Sequence, residues 1–103
     1  MGGRGMGSAN DISLDQRQSL YSGGDGSTFD NAVVINAEIT SIGIPAEYQY
    51  ISKIYGQWKL AWTLIDQSFF IHEHKYYDVL HIKLSDGVEK YIYFDITQFY
   101  GKF

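Results

Sequence analysis

Apolar residues recur at every second position near the end of the chain. Leu80, Ile82 and Leu84 form one such set, and Val88, Ile92, Phe94 and Ile96 fall in step on the next run. Neighbouring side chains of a strand point to opposite faces, so each set predicts one buried strand face. The opposite positions carry Tyr77, Val79, His81 and Lys83, then Glu89, Tyr91, Tyr93 and Asp95. That second face is aromatic and charged together. Between the two runs, Ser85-Asp86-Gly87-Val88 places Asp-Gly where a hairpin needs positive φ. Strands are therefore expected over 77–84 and 88–96. A third, long enough to need a bulge, is expected over 62–72, joined to the next by a turn near Glu73-His74-Lys75-Tyr76.

The period changes upstream. Ile44, Tyr48, Ile51, Tyr55 and Trp58 recur at helical spacing, with Gln49, Ser52, Lys53 and Gln57 mostly opposite. Pro45 suits a first helical turn, where its missing N–H costs nothing. Glu47 then falls near the positive end of the helix dipole, and Gly56 supplies a left-handed stop. The pattern predicts a helix over 45–55. Before it, Ala32-Val33-Val34-Ile35-Asn36-Ala37 reads as a short buried strand.

These elements give the order β-α-β-β-β. The fold class is α+β, with one helix packed on one face of a mainly antiparallel, three- to four-stranded sheet. If the first two strands pair in parallel, their crossover is right-handed.

Composition divides the chain. Residues 1–27 hold most of the 11 glycines and few apolar side chains. They read as a flexible Gly-rich segment, the first nine resembling a tag or leader with no secretory core. Ser13-Leu14-Asp15-Gln16 fits a capping box, with Leu14, Arg17 and Tyr21 on a short helix. Residues 28–103 form the single folded domain. With 103 residues, no Cys and a net charge of −4, disulfide staples, zinc-thiolate sites and cysteine nucleophiles are excluded. So small a domain gains stability from large aromatic side chains, here 9 Tyr, 6 Phe and 2 Trp, or from association.

Charge and spacing narrow the chemistry. An acidic chain supplies few phosphate contacts, and Lys83 and Lys90 fall on opposite faces, so no nucleic-acid partner is expected. No apolar run approaches the ~20 residues of a membrane span. His72 and His74 share a face at a strand end, and His81 lies on the adjacent strand. With Glu73 or Asp78 they are the candidate zinc or copper ligands, although Glu73 points away from its neighbours. Ser68, His81 and Asp78 supply the types of a hydrolytic triad without a nucleophile elbow. Gly23-Gly24-Asp25-Gly26-Ser27 lacks the Gly-Lys-Ser/Thr ending of a phosphate loop. No cofactor is expected.

Two segments carry a resemblance. Gly24-Asp25-Gly26-Ser27-Thr28-Phe29 leads into Ala32-Val33-Val34-Ile35. Tyr77-Asp78-Val79-Leu80 runs through Asp86-Gly87 to Ile92-Tyr93-Phe94-Asp95-Ile96, closing on Phe99-Tyr100-Gly101-Lys102. Together they resemble a group of small bacterial proteins built around a "YDV…DG…IYFDI" carboxy-terminal hairpin. The likeness covers most of residues 24–103. It implies a stand-alone cytoplasmic bacterial domain and no catalytic residue.

The leading expectation is a small non-enzymatic interaction domain. It binds a protein partner or a second copy of itself through Tyr77, His81, Tyr91 and Tyr93. The alternative is a small-ligand-binding or hydrolytic domain, its site between helix and sheet near His72, His81 and Asp78.

Overall fold

The computed structural model describes residues 19–103. Its elements are β1 (Tyr21–Gly23), β2 (Val33–Ile35), α1 (Thr40–Tyr55), β3 (Trp62–His72), β4 (Lys75–Leu84) and β5 (Glu89–Asp95). They build an α+β domain with one helix, among the described residues, and a five-stranded mixed sheet in the order β1-β2-β5-β4-β3. The capping box at Ser13 and the leader-like residues lie outside the described residues.

The three long strands pair antiparallel, as alternation requires. The mixed character comes from β2, which lies parallel to β5 with Val33 beside Phe94. Its parallel neighbour is thus the last strand of the chain and not β3. The expected three to four strands become five because β1 pairs antiparallel with β2. β1 falls within the stretch that composition assigns to a linker. Its loop is packed as well: the Gly26 N–H bonds to Asn31 O at 2.6 Å, and Tyr93 N–H bonds to Gly26 O at 2.7 Å. Gly26 has φ +85°, and a Cβ there would press on Ile92. Glycine serves here to bring backbone against the sheet.

The helix begins five residues earlier than expected. No side chain caps it at Ile39. Instead the backbone N–H and the hydroxyl of Thr40 both donate to the carbonyl of Lys102, at 2.7 and 2.8 Å. Pro45 therefore lies inside the helix. It leaves the Ser41 carbonyl without its intrahelical partner, at a residue that is exposed to solvent. Gly56 ends the helix at φ +114°.

The earlier start also changes which side of α1 is buried. Gly43, Ala46, Glu47 and Ile51 face the sheet, while Ile44 is 43% exposed. The expected stripe through Ile44 and Trp58 is displaced towards small residues. Gly43 accounts for the displacement, because it stands directly on the ring of Phe99. Close approach at that point favours the small side chains. Glu47 is consequently a core residue of the third turn, not a surface carboxylate near the helix start.

Leu80, Ile82, Ile92, Phe94 and Ile96 lie under the helix with Val33, Ile35, Trp62 and Phe99. Val88 is the exception to the inward set. It sits in the loop before β5 and is exposed. The hairpin between β4 and β5 is closed by Leu84 N–H on Val88 O at 2.8 Å, with Gly87 N–H on Leu84 O at 2.9 Å and Gly87 at φ +93°. Between β3 and β4 the loop is only Glu73-His74, both at positive φ. After β5, Tyr100 N–H reaches Ile96 O at 2.9 Å, making a single helical turn. No helix among the described residues is long and apolar enough to cross a membrane.

Candidate functional site

The outer face of the sheet holds the expected aromatic residues, but not all of them meet solvent. Phe29, from the β1–β2 loop, folds down across this face. Its ring lies 5.0 Å from Tyr77, 4.9 Å from Tyr93 and 5.7 Å from Phe70, and it stacks on His72 at 4.3 Å. Tyr77 is buried as a result, and Tyr93 is half-buried. Of the four residues expected to form a docking face, Tyr91 alone is widely exposed. It lies flat on His81, which is half-buried. Alternation placed these side chains on one face; it carried no information about a loop that covers them.

The histidines do not converge. His72 is held under Phe29. His74 occupies the tip of the β3–β4 turn. His81 sits between Glu89, 2.8 Å from its Nε2, and Asp66, 3.7 Å from its Nδ1. Asp66 comes opposite His81 because a bulge between Leu64 and Asp66 shifts the register. No group of three metal-ligating side chains occurs among the described residues. Asp78 lies on the inner face, away from His81, so neither the metal set nor the triad with Ser68 is assembled.

A cleft does open between helix and sheet, as the alternative expectation required, but with different residues. It has a volume of about 430 Å³. Its walls include Ile44 of α1, Phe69 of β3, and Ile96, Phe99 and Tyr100 of the closing turn, and Asp78 is on its floor with Gln67 beside it. Phe69, Tyr76 and Tyr100 stack at its side, with Phe69 and Tyr100 4.9 Å apart.

Behind Asp78 is Glu47, which is fully buried. No N–H or hydroxyl donor of the described residues reaches its oxygens, which leaves the Asp78 carboxyl as its hydrogen-bonding neighbour. Burial first, then the Asp78 carboxyl beside it, push Glu47 up to about 10. It is a neutral carboxylic acid at pH 7. Burial also raises the nearby Tyr48 phenol, helped by Glu47 and Asp78. Sequence reasoning missed Glu47 because a Glu after Pro45 is well explained as a helix-start residue. The helical spacing Gly43–Glu47 was the signal that could have found it.

A second feature is the free edge of β3. This strand has eleven residues and lies at the end of the sheet. Ile65, Phe69, Phe70 and Ile71 are all exposed, Ile71 by 67%. Asp66 is its one acidic residue. Such an edge offers unpaired N–H and C=O groups between apolar side chains, and most proteins blunt it with charge or proline.

Comparison of the chain with protein-family models, curated proteins and solved structures finds no match.

Proposed function

We propose that the chain is a small non-enzymatic interaction domain that associates with a second copy of itself along β3. The observation that carries this reading is the apolar edge of that strand beyond its bulge, where Phe69, Phe70 and Ile71 are exposed. It moves the docking surface from the phenol-bearing face to the sheet margin, and leaves Tyr91 and His81 as flanking residues.

A two-fold antiparallel pairing centred on Phe69 has favourable chemistry. Phe69 then meets its own counterpart, and Phe70 lies opposite Ser68. His72 falls opposite Asp66, twice by symmetry, on the outer face of a continuous ten-stranded sheet. Strand addition of this kind draws affinity from main-chain hydrogen bonds and specificity from alternate side chains. The low charge of β3 suits a self-complementary edge, since no like charges are forced together in this register.

Sedimentation equilibrium tests the reading. The wild type is expected at twice 11.7 kDa, and Ile71→Lys, at the most exposed position of the strand, is expected at the monomer mass. A monomeric wild type at micromolar concentration, or a dimer that Ile71→Lys leaves intact, would remove β3 pairing from consideration.

A further inference from the structure

The cleft between α1 and the inner face of β3 and β4 has features that packing alone does not require. Apolar side chains make most of its wall, and one carboxyl is set into its floor. Asp78 is only 6% exposed and lines the cleft. Among the described residues no cation is within ion-pair distance of Asp78. A second carboxyl, Glu47, stands beside it with no access to water and no N–H or hydroxyl donor from the rest of the described residues, so its one hydrogen-bonding neighbour among them is Asp78. Buried carboxyls are costly unless a cation or several donors meet them, and a pair that has only each other requires an explanation. A core leucine at position 47 would pack without the desolvation cost.

We propose that this cleft binds a small organic ammonium ion with an aromatic or short alkyl body, its cationic head on Asp78 and its body between Phe69 and Phe99. The ligand class follows from the wall. An ammonium group has only donors, and the floor of the cleft offers carboxyl acceptors. An anion would meet Asp78 unfavourably, and a purely apolar ligand would leave the carboxyl dry and unpaired. The space of about 430 Å³ falls in the range of small-molecule pockets. The stacked Phe69–Tyr100 pair adds aromatic faces beside the entrance, to which cations are attracted.

Glu47 contributes without touching the ligand. As a neutral acid beside Asp78 it keeps the pair from carrying two charges, and its hydroxyl donates to the Asp78 carboxylate. Gln67 and Thr40 supply the remaining polar groups of the wall. This site does not depend on β3 pairing, and its test reads a different quantity.

The experiment is a titration of the ¹⁵N-labelled full chain with 2-phenylethylammonium, with phenylacetate and 2-phenylethanol as matched probes, and with hexylammonium as an alkyl amine. Saturable shifts at Asp78, Ile44 and Phe99 are expected with at least one amine, none with phenylacetate, and much weaker ones with the alcohol. Asp78→Asn is expected to weaken amine binding by about tenfold or more, the worth of a charge-assisted contact. Because Asp78 is buried and its variant risks misfolding, Ile44→Arg is the second arm. It lies on the exposed helix surface at the mouth, and its tethered guanidinium should compete for Asp78 and abolish binding. Phenylacetate binding as well as the amine does, unchanged amine affinity in folded Asp78→Asn or Ile44→Arg, or no saturable shift with either amine would each overturn the proposal.

Discussion

Gly43 of α1 rests its bare Cα against the ring of Phe99, so that a Cβ built at this position would run into three of its ring carbons. The contact fixes the height of the helix above the sheet and sets one wall of the cleft. Gly43→Ala would gain helix propensity but force the ring or the helix to move. The net expectation is a loss of about 2 kcal/mol, read from the urea midpoint. An unchanged or raised midpoint would mean that Phe99 repacks freely.

Glu47 links stability to pH. Its ordinary value is 4.5 and its folded value about 10, so over that range the folded chain keeps a proton that the unfolded chain releases. The contribution is therefore full below pH 4.5 and is lost as pH rises towards 10. The slope is about 1.4 kcal/mol for each pH unit. Glu47→Gln removes this slope. Between pH 6 and pH 8 the variant should gain about 3 kcal/mol on the wild type, measured as the change in unfolding free energy at each pH. Parallel curves for the two proteins would show that Glu47 is ionised in the fold.

The β3–β4 turn holds Glu73 at φ 49° and His74 at φ 68°. Two positive φ values describe the turn type that favours Asn-Gly. His74→Gly should raise stability by about 1 kcal/mol, with the sheet unchanged by circular dichroism. A loss would indicate that the imidazole makes a contact worth more than the strain.

Thr40 closes the helix start on the carbonyl of Lys102 through both its N–H and its hydroxyl. Thr40→Val keeps the shape and removes the hydroxyl. It should cost about 1 kcal/mol, and hydrogen exchange should quicken at the last residues more than in β4.

Zinc offers a test of the histidine geometry. His72, His74 and His81 are held in three separate environments, so an equimolar addition of zinc should leave the thermal midpoint in place. A rise that grows with zinc concentration would require a shared site.

The elements written in period are those the sequence disclosed. The inward sets Leu80–Ile82 and Ile92–Phe94, the Asp86-Gly87 hairpin and the Gly56 stop are each local, and each is present in the fold. The strand at Tyr21–Gly23 was not legible, because three residues among glycines carry no period. Its pairing with β2 crosses a loop that carries no period either, and its Tyr21 hydroxyl bond to Ala46 O at 2.7 Å reaches into α1. The start of α1 was hidden for a related reason: its cap is Lys102, at the far end of the domain. The candidate site was half visible. Asp78 was named, but alternation alone did not bring Glu47 to it, and Phe29 was not seen to cover Tyr77.

The parallel pairing of β2 with β5 also constrains how the molecule is made. Val33 and Phe94 are neighbours in space but roughly sixty positions apart in sequence, a separation that slows folding. On the ribosome, the amino-terminal hairpin waits without a seat until β5 has emerged. The sheet's centre is its last-made strand, so the two halves of the nascent sheet are joined only when β5 is added.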